Sequence, residues 1–218
     1  MRHDMVVIGL GGFGREVLDV IDAINADVGR ADRLNVVGIL DDAAPAPSAL
    51  ELYDLDYLGA TAELERLPES VGYVIGIGSP RTRQAIDEVG QRSHLQSPVL
   101  RHPSATVGRG VSFGPGTVVC SHVSISNTIR FGRHVHLNPN CTVGHDALLE
   151  DYVSVSPMVA ISGNVHVQRG VFLGTGSSIN QGLTIEEWAV VGAGAAAVRD
   201  VESGSTVVGV PAKARTRS

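Results

Sequence analysis

The 218-residue chain carries 23 acidic and 17 basic side chains, a net charge of -6, so it lacks the clustered cationic surface that a phosphodiester backbone demands, and no nucleic-acid partner is expected. Hydrophobic residues make up 43% and charged residues 18%, and no apolar run reaches the ~18 residues that cross a bilayer, so membrane insertion is not expected either. Glycine, at 26 residues, is nearly twice as frequent as usual, whereas Cys120 and Cys141 are the only cysteines, which points to many tight turns and away from a disulfide framework or a CxxC metal site.

The length allows two domains, and the sequence changes character near residue 100. Residues 1–100 read as α/β. Met5 to Leu10 is a buried strand that breaks into glycines too early for a secretion signal, so the expected location is the cytoplasm. Gly9, Gly11, Gly12 and Gly14, with Phe13 among them, form a glycine turn, and Arg15 to Asn25 carries Val17, Val20, Ile21 and Ile24 at helical spacing. Leu34 to Leu40 is a second strand ending in Asp41 and Asp42. Thr61 to Leu67 is a short helix, Val71 to Ile77 a third strand leading into Gly78, and Arg81 to Val89 a further helix after a Ser-Pro entry. A GxGxxG turn between strand and helix turns backbone N–H groups and a helix dipole toward an anion, and the two aspartates at a strand end are placed to accept hydrogen bonds from a ribose or base. A unit of this size suits a nucleoside diphosphate better than a dinucleotide.

Residues 101–218 follow a different rule. Every sixth residue from Val107 to Val191 is apolar, a run with a chance probability on the order of 1 in 10⁵. Four residues after each comes a second uncharged set, from Val111 through Thr117, Cys141 and Ser177 to Ala195. Neither a helical nor an alternating-strand period fits. A hexapeptide β-helix does: six residues make a short strand and a corner, and three units close a triangular coil of eighteen residues.

The GxGGxG turn, the uninterrupted hexads and the ending Val208-Gly209-Val210-Pro211-Ala212-Lys213 together resemble the family of sialic acid O-acetyltransferases and nucleotide-aminosugar N-acetyltransferases. The resemblance covers almost the whole chain. It implies a Rossmann-like nucleotide-sugar domain followed by a left-handed parallel β-helix, a homotrimer, acetyl-CoA as co-substrate with no metal, and a nucleotide-linked, UDP-type amino sugar as acceptor in bacterial surface glycan synthesis.

His145 in Val143-Gly144-His145-Asp146 sits at the third position of its hexad, where side chains leave a corner, and matches the family's base motif. A histidine titrating near neutrality suits removal of an amine proton, and Asp146 is expected to orient it. Eighteen residues on, Gly163 shares that corner and is expected to offer a backbone N–H to the developing oxyanion. The resemblance further places Thr175 and Ala193 along the pantetheine arm and Asn138 near the sugar. At the position where relatives often carry a second histidine for acetyl-CoA, this chain has Ser154. His122, His134, His136 and His166 read as surface histidines, and Trp188 as a cap on the last coil. Transfer to a sugar hydroxyl, a catalytically silent nucleotide-sugar sensor and a nicotinamide-dependent oxidoreductase remain as alternatives.

Overall fold

The computed structural model describes residues 2–27 and 33–215, and the chain divides into two compact units, Met1–Pro103 and Ser104–Ser218. In the first unit, β1 (Arg2–Ile8) leads through the glycine turn into α1 (Gly12–Ala26), then β2 (Arg33–Leu40), α2 (Pro47–Tyr53), β3 (Tyr57–Gly59), a 3-10 turn (Thr61–Arg66), β4 (Gly72–Ile75) and α3 (Pro80–Arg92). The strands form one parallel sheet in the order β3-β2-β1-β4. β1 is central and covered on both faces, which is why its run Met5-Val6-Val7-Ile8 is continuously apolar, at most 2% exposed. α1 buries Val17, Leu18, Val20, Ile21 and Ile24 along one stripe.

Register decides where the loops lie. Ile8 is level with Leu40 on one side and with Ile75 on the other, so the glycine turn, the Asp41 loop and the Gly76–Ser79 loop all leave the carboxyl end of the sheet together. That is the crevice in which open α/β sheets hold ligands. The order of strands and helices follows the sequence reading, with two additions, α2 and β3, and the short helix expected at Thr61 has 3-10 geometry.

The second unit is a left-handed parallel β-helix. Its two-residue strands pair in parallel with the strand eighteen residues later, as in Phe131↔Leu149, Leu137↔Val155 and Val143↔Ile161. Three ladders result, and the second residue of each strand points inward. The first runs Val107, Ile125, Val143, Ile161, Ile179, Ala197. The second runs Phe113, Phe131, Leu149, Val167, Ile185, with the two Phe rings stacked 5.1 Å apart. The third runs Val119, Leu137, Val155, Leu173, Val191. The second uncharged set turns the corners into the same core, with Val135, Cys141, Ala147 and Val153 at 2% exposure or less. Burial pushes the Cys141 thiol up to about 12.

The repeat continues past Val191 to Ala197, then shortens. Val191 pairs with Val207 and Ile185 bridges to Val201, a step of sixteen, so the last coil has lost two residues. Thr206–Val208 then pairs antiparallel with Lys213–Ala214, which occupies that edge.

The histidine reading is corrected in two places: His134 is fully buried and His136 is 1% exposed. His134 lies in a corner column of left-handed residues with Gly116, Tyr152, Gly170 and Trp188, stacked against Tyr152 at 6.2 Å. A Cβ at Gly116 would fall 2.2 Å from the His134 ring, and one at Gly170 2.2 Å from the Trp188 ring. Trp188 therefore packs back onto the preceding coil.

Candidate active site

The glycines of the first unit sort into two kinds. Gly9 has φ +90°, a Cβ on Gly14 would lie 1.9 Å from the Gly9 carbonyl oxygen, and one on Gly76 would lie 2.5 Å from the Gly14 Cα. These three are required by the close approach of β1, α1 and β4. Gly11, Gly12 and Gly78 have nothing within 4 Å of a built Cβ and no positive φ, so the fold itself does not demand glycine there. All three line the crevice at the sheet's carboxyl end, where bare backbone suits a closely held phosphate. Phe13 is half-buried in the first turn of α1.

Asp41 and Asp42 already have partners inside the unit. Asp41 accepts the Leu10 N–H at 2.9 Å through Oδ2 and the Ala43 N–H at 3.1 Å through Oδ1, which ties the end of β2 to the glycine turn. Asp42 Oδ1 accepts from the Thr61 N–H at 2.9 Å and the Thr61 hydroxyl at 2.6 Å. Those two bonds, the hydroxyl's the larger, hold the Asp42 carboxyl below its usual range. The pair thus shapes the crevice, with carboxylate lone pairs left over for a ligand.

In the second unit the corner after Thr142–Val143 carries the titratable pair. His145 Nδ1 lies 2.8 Å from Asp146 Oδ2, with the two side chains 48% and 47% exposed, so the pair is formed and still open to a solute. Adjacent residues of an extended strand would point apart. Asp146 instead adopts φ 57°, as do its column neighbours Thr128 at 58° and Asn164 at 55°, and this left-handed turn brings its carboxylate back beside the ring. Hydrogen bonds between coils fix the corner: Asp146 N–H to Asn127 O at 3.1 Å and Asn164 N–H to His145 O at 2.8 Å.

Gly163 lies where the eighteen-residue register predicts. A Cβ there would fall 2.5 Å from His145 Nε2 and 2.6 Å from Cε1, so the imidazole lies across the glycine, and a residue without a side chain is what admits it. This steric role is additional to the backbone donor expected from the sequence.

The remaining candidates lie elsewhere on the prism. Asn138, half-buried, donates its Nδ2 to Val155 O at 2.8 Å, at the corner that follows the third ladder. Thr175 and Ala193 share that corner, are exposed, and are linked through the Gly194 N–H to Thr175 O bond of 2.8 Å. Ser154 lies on the third ladder between His136 and Phe172 and is 3% exposed. Within one chain these residues occupy a different corner and ladder from His145. Sequence reading missed a second histidine–carboxylate pair, His166 Nε2 to Glu150 Oε1 at 2.7 Å; the sixteen-residue separation across coils is the signal that would have found it. Among the described residues no group of three His, Cys, Asp or Glu side chains is placed to hold a metal ion, and no helix is long and apolar enough to cross a membrane.

Comparison with known proteins joins the two halves. The PglD N-terminal domain family matches residues 4–89. Among solved structures, the acetyltransferase domain of PglB from Neisseria gonorrhoeae, in complex with acetyl coenzyme A, aligns with a TM-score of 0.87 at 29% identity over 99% of this chain and 100% of that one. A variant of perosamine N-acetyltransferase from Caulobacter crescentus, in complex with CoA and GDP-perosamine, aligns with a TM-score of 0.87 at 28% identity over 98% of this chain and 97% of that one. The first unit thus matches the PglD N-terminal domain, and the chain over nearly its whole length is similar to acetyltransferases of known structure, one of them a perosamine N-acetyltransferase. WeeI from Acinetobacter baumannii, at 24% identity and a TM-score of 0.84 over 99% of this chain and 100% of that one, shares the fold. No curated protein matches by sequence.

Proposed function

We propose that this protein belongs to the sialic acid O-acetyltransferase and nucleotide-aminosugar N-acetyltransferase family and transfers an acetyl group from acetyl-CoA to the amino group of a nucleotide-linked sugar, with His145 as general base. The observation that carries the reading is the His145–Asp146 pair, 2.8 Å apart, at a half-exposed corner with Nε2 over Gly163. Because Nδ1 is committed to the carboxylate, Nε2 is the nitrogen that accepts the proton lost as the amine attacks. Asp146 fixes the ring's orientation and offsets the charge of the imidazolium. The Gly163 N–H serves as a backbone donor to the oxygen on which charge develops.

Acetyl-CoA supplies an acetyl group activated as a thioester. The corner of Thr175 and Ala193 suits its pantetheine arm, because Gly176 and Gly194 beside them have φ 67° and nothing within 4 Å of a built Cβ, leaving bare backbone exposed. Ser154 stands where a charged donor is common among relatives and contributes at most a neutral hydroxyl. The nucleotide rests on Gly11, Gly12 and Gly78, with Asp41 and Asp42 bracing the crevice. Since His145 and the acyl-donor positions lie on different corners of one prism, a complete site takes them from adjacent copies, which is the reason to expect a closed ring of three. A UDP-linked sugar is the first acceptor to test and a GDP-linked one the second, as the perosamine enzyme is seen with GDP-perosamine.

The decisive assay is thiol release from acetyl-CoA with UDP-, GDP- and TDP-linked amino sugars, wild type beside His145→Ala. Release that depends on one amino sugar and falls about 10²- to 10⁴-fold in the variant supports the reading. Release only with sugars that lack the amine moves the reaction to a hydroxyl acceptor, and equal release by wild type and variant removes His145 from the mechanism.

A further inference from the structure

Arg83, in the first turns of α3, is fully buried and is among the largest side chains in the molecule to be so. A buried guanidinium is retained only where it makes several good hydrogen bonds. Here Nη1 donates to two consecutive carbonyls, Ile77 O at 3.0 Å and Gly78 O at 3.1 Å. Both belong to the loop that leaves β4 for α3. That loop is also packed on the glycine turn: the Gly76 N–H donates to Ile8 O at 2.7 Å, and the Ile77 side chain fills the space beside Gly9.

The peptide geometry turns this anchor into a statement about the ligand. In a trans peptide the C=O and N–H point in opposite directions across one plane. With the Ile77 and Gly78 carbonyls drawn inward to Arg83, the N–H groups of Gly78 and Ser79 in the same two planes point away from it, out of the core. They emerge at the carboxyl end of the sheet, at the start of α3, where a Cβ on Gly78 would meet nothing within 4 Å. Without the anchor, rotation of either plane would present a carbonyl oxygen to an anionic ligand.

We infer that Arg83 is a positioning residue for nucleotide-sugar binding: it holds two peptide planes so that the Gly78 and Ser79 N–H groups face the diphosphate opposite Gly11 and Gly12. The inference rests on the reading of the crevice as a nucleotide-sugar site. Arg83 touches no reacting atom. A lysine keeps the charge, but its ammonium ends one bond short of Nη1, the atom that meets both carbonyls, so Arg83→Lys separates charge from geometry, and Arg83→Met removes both.

The test uses the full chain and two readouts. Calorimetric titration with UDP, GDP and TDP reports the crevice independently of acyl transfer, and steady-state kinetics with the preferred amino sugar reports KM and kcat separately. Circular dichroism selects the variants that fold. The expected result is that folded Arg83→Lys binds the preferred nucleotide about 10- to 100-fold more weakly, the size of one or two hydrogen bonds to a charged ligand, with the nucleotide-sugar KM raised alike and both kcat and the KM for acetyl-CoA retained. Unchanged nucleotide affinity in folded Arg83→Lys, whatever its melting temperature, overturns the inference, as does a wild type that binds no nucleotide. If the wild type binds nucleotide through Arg83 and yet acetylates no amino sugar, the functional reading fails and the Arg83 assignment stands.

Discussion

A left-handed backbone at a residue other than glycine is uncommon, and aspartate and asparagine tolerate it better than most. At Asp146 the conformation, φ 57°, has a chemical consequence, because it folds a carboxylate back against the imidazole of the preceding residue. The ring's other edge then rests over Gly163, where a Cβ would come within 2.5 Å of Nε2. Gly163→Ala therefore tests geometry without touching either titrating group. The methyl must push the imidazole aside, and a misplacement near 1 Å costs about 10²-fold in rate. The expected outcome is that loss in kcat, with nucleotide affinity unchanged; kcat within twofold of wild type would show that the ring's place over the glycine is immaterial. The spacing of the sequence sufficed to bring His145, Asp146 and Gly163 together, because register in a β-helix is arithmetic. It did not show that Asp41 is bonded to Leu10, thirty-one residues away, since a side chain's choice of a remote backbone N–H leaves no periodic trace.

At the scale of elements, the strand-to-helix turn after β1 separates glycines that the fold needs from those assigned to the proposed ligand, and the two make opposite predictions. Gly14→Ala places a methyl 1.9 Å from the Gly9 carbonyl oxygen, so α1 must part from β1 and the melting temperature falls by several degrees or more. Gly11→Ala meets open space, and as the N-cap of α1 it carries no side-chain cap to lose. Its melting temperature is expected within about 2 °C of wild type, with the nucleotide-sugar KM raised about tenfold as the methyl intrudes on the phosphate. A Gly11→Ala protein with wild-type KM would place the phosphate elsewhere. The same scale explains which elements the sequence revealed. α1 buries five aliphatic residues on one stripe and was legible, whereas α2 buries none of its residues and so has no apolar period to detect. β3 is three residues of which none is buried, too short and too exposed to show an apolar alternation. His134 and His136 read as surface histidines in the sequence, although both are buried, for a related reason: polar side chains stacked between coils break no hexad, because the hexad constrains only the inward positions.

At the scale of the whole molecule, the proposed base and the proposed acyl-donor positions stand apart on one chain. His145 and Asp146 lie at the corner between the first and second ladders, while Thr175 and Ala193 lie at the corner between the third and the first, and Ser154 lies on the third ladder itself. If a working site takes its base from one copy and its acyl-donor contacts from the next, two variants, each inactive alone, must complement one another when mixed. His145→Ala removes the base, and Ala193→Trp fills the exposed corner with a large ring. Each is expected to lose acetyl transfer as a homo-oligomer. After co-expression, or unfolding and refolding at equal concentrations, random assembly leaves about a quarter of the interfaces with both native residues. Thiol release should therefore return to about a quarter of the wild-type rate per chain. The acetyl-CoA KM of this recovered activity should equal the wild-type value, because the restored sites contain no altered residue. Recovery absent from verified mixed oligomers would mean that base and acyl-donor contacts come from the same chain, and the case for a shared site would fall with it.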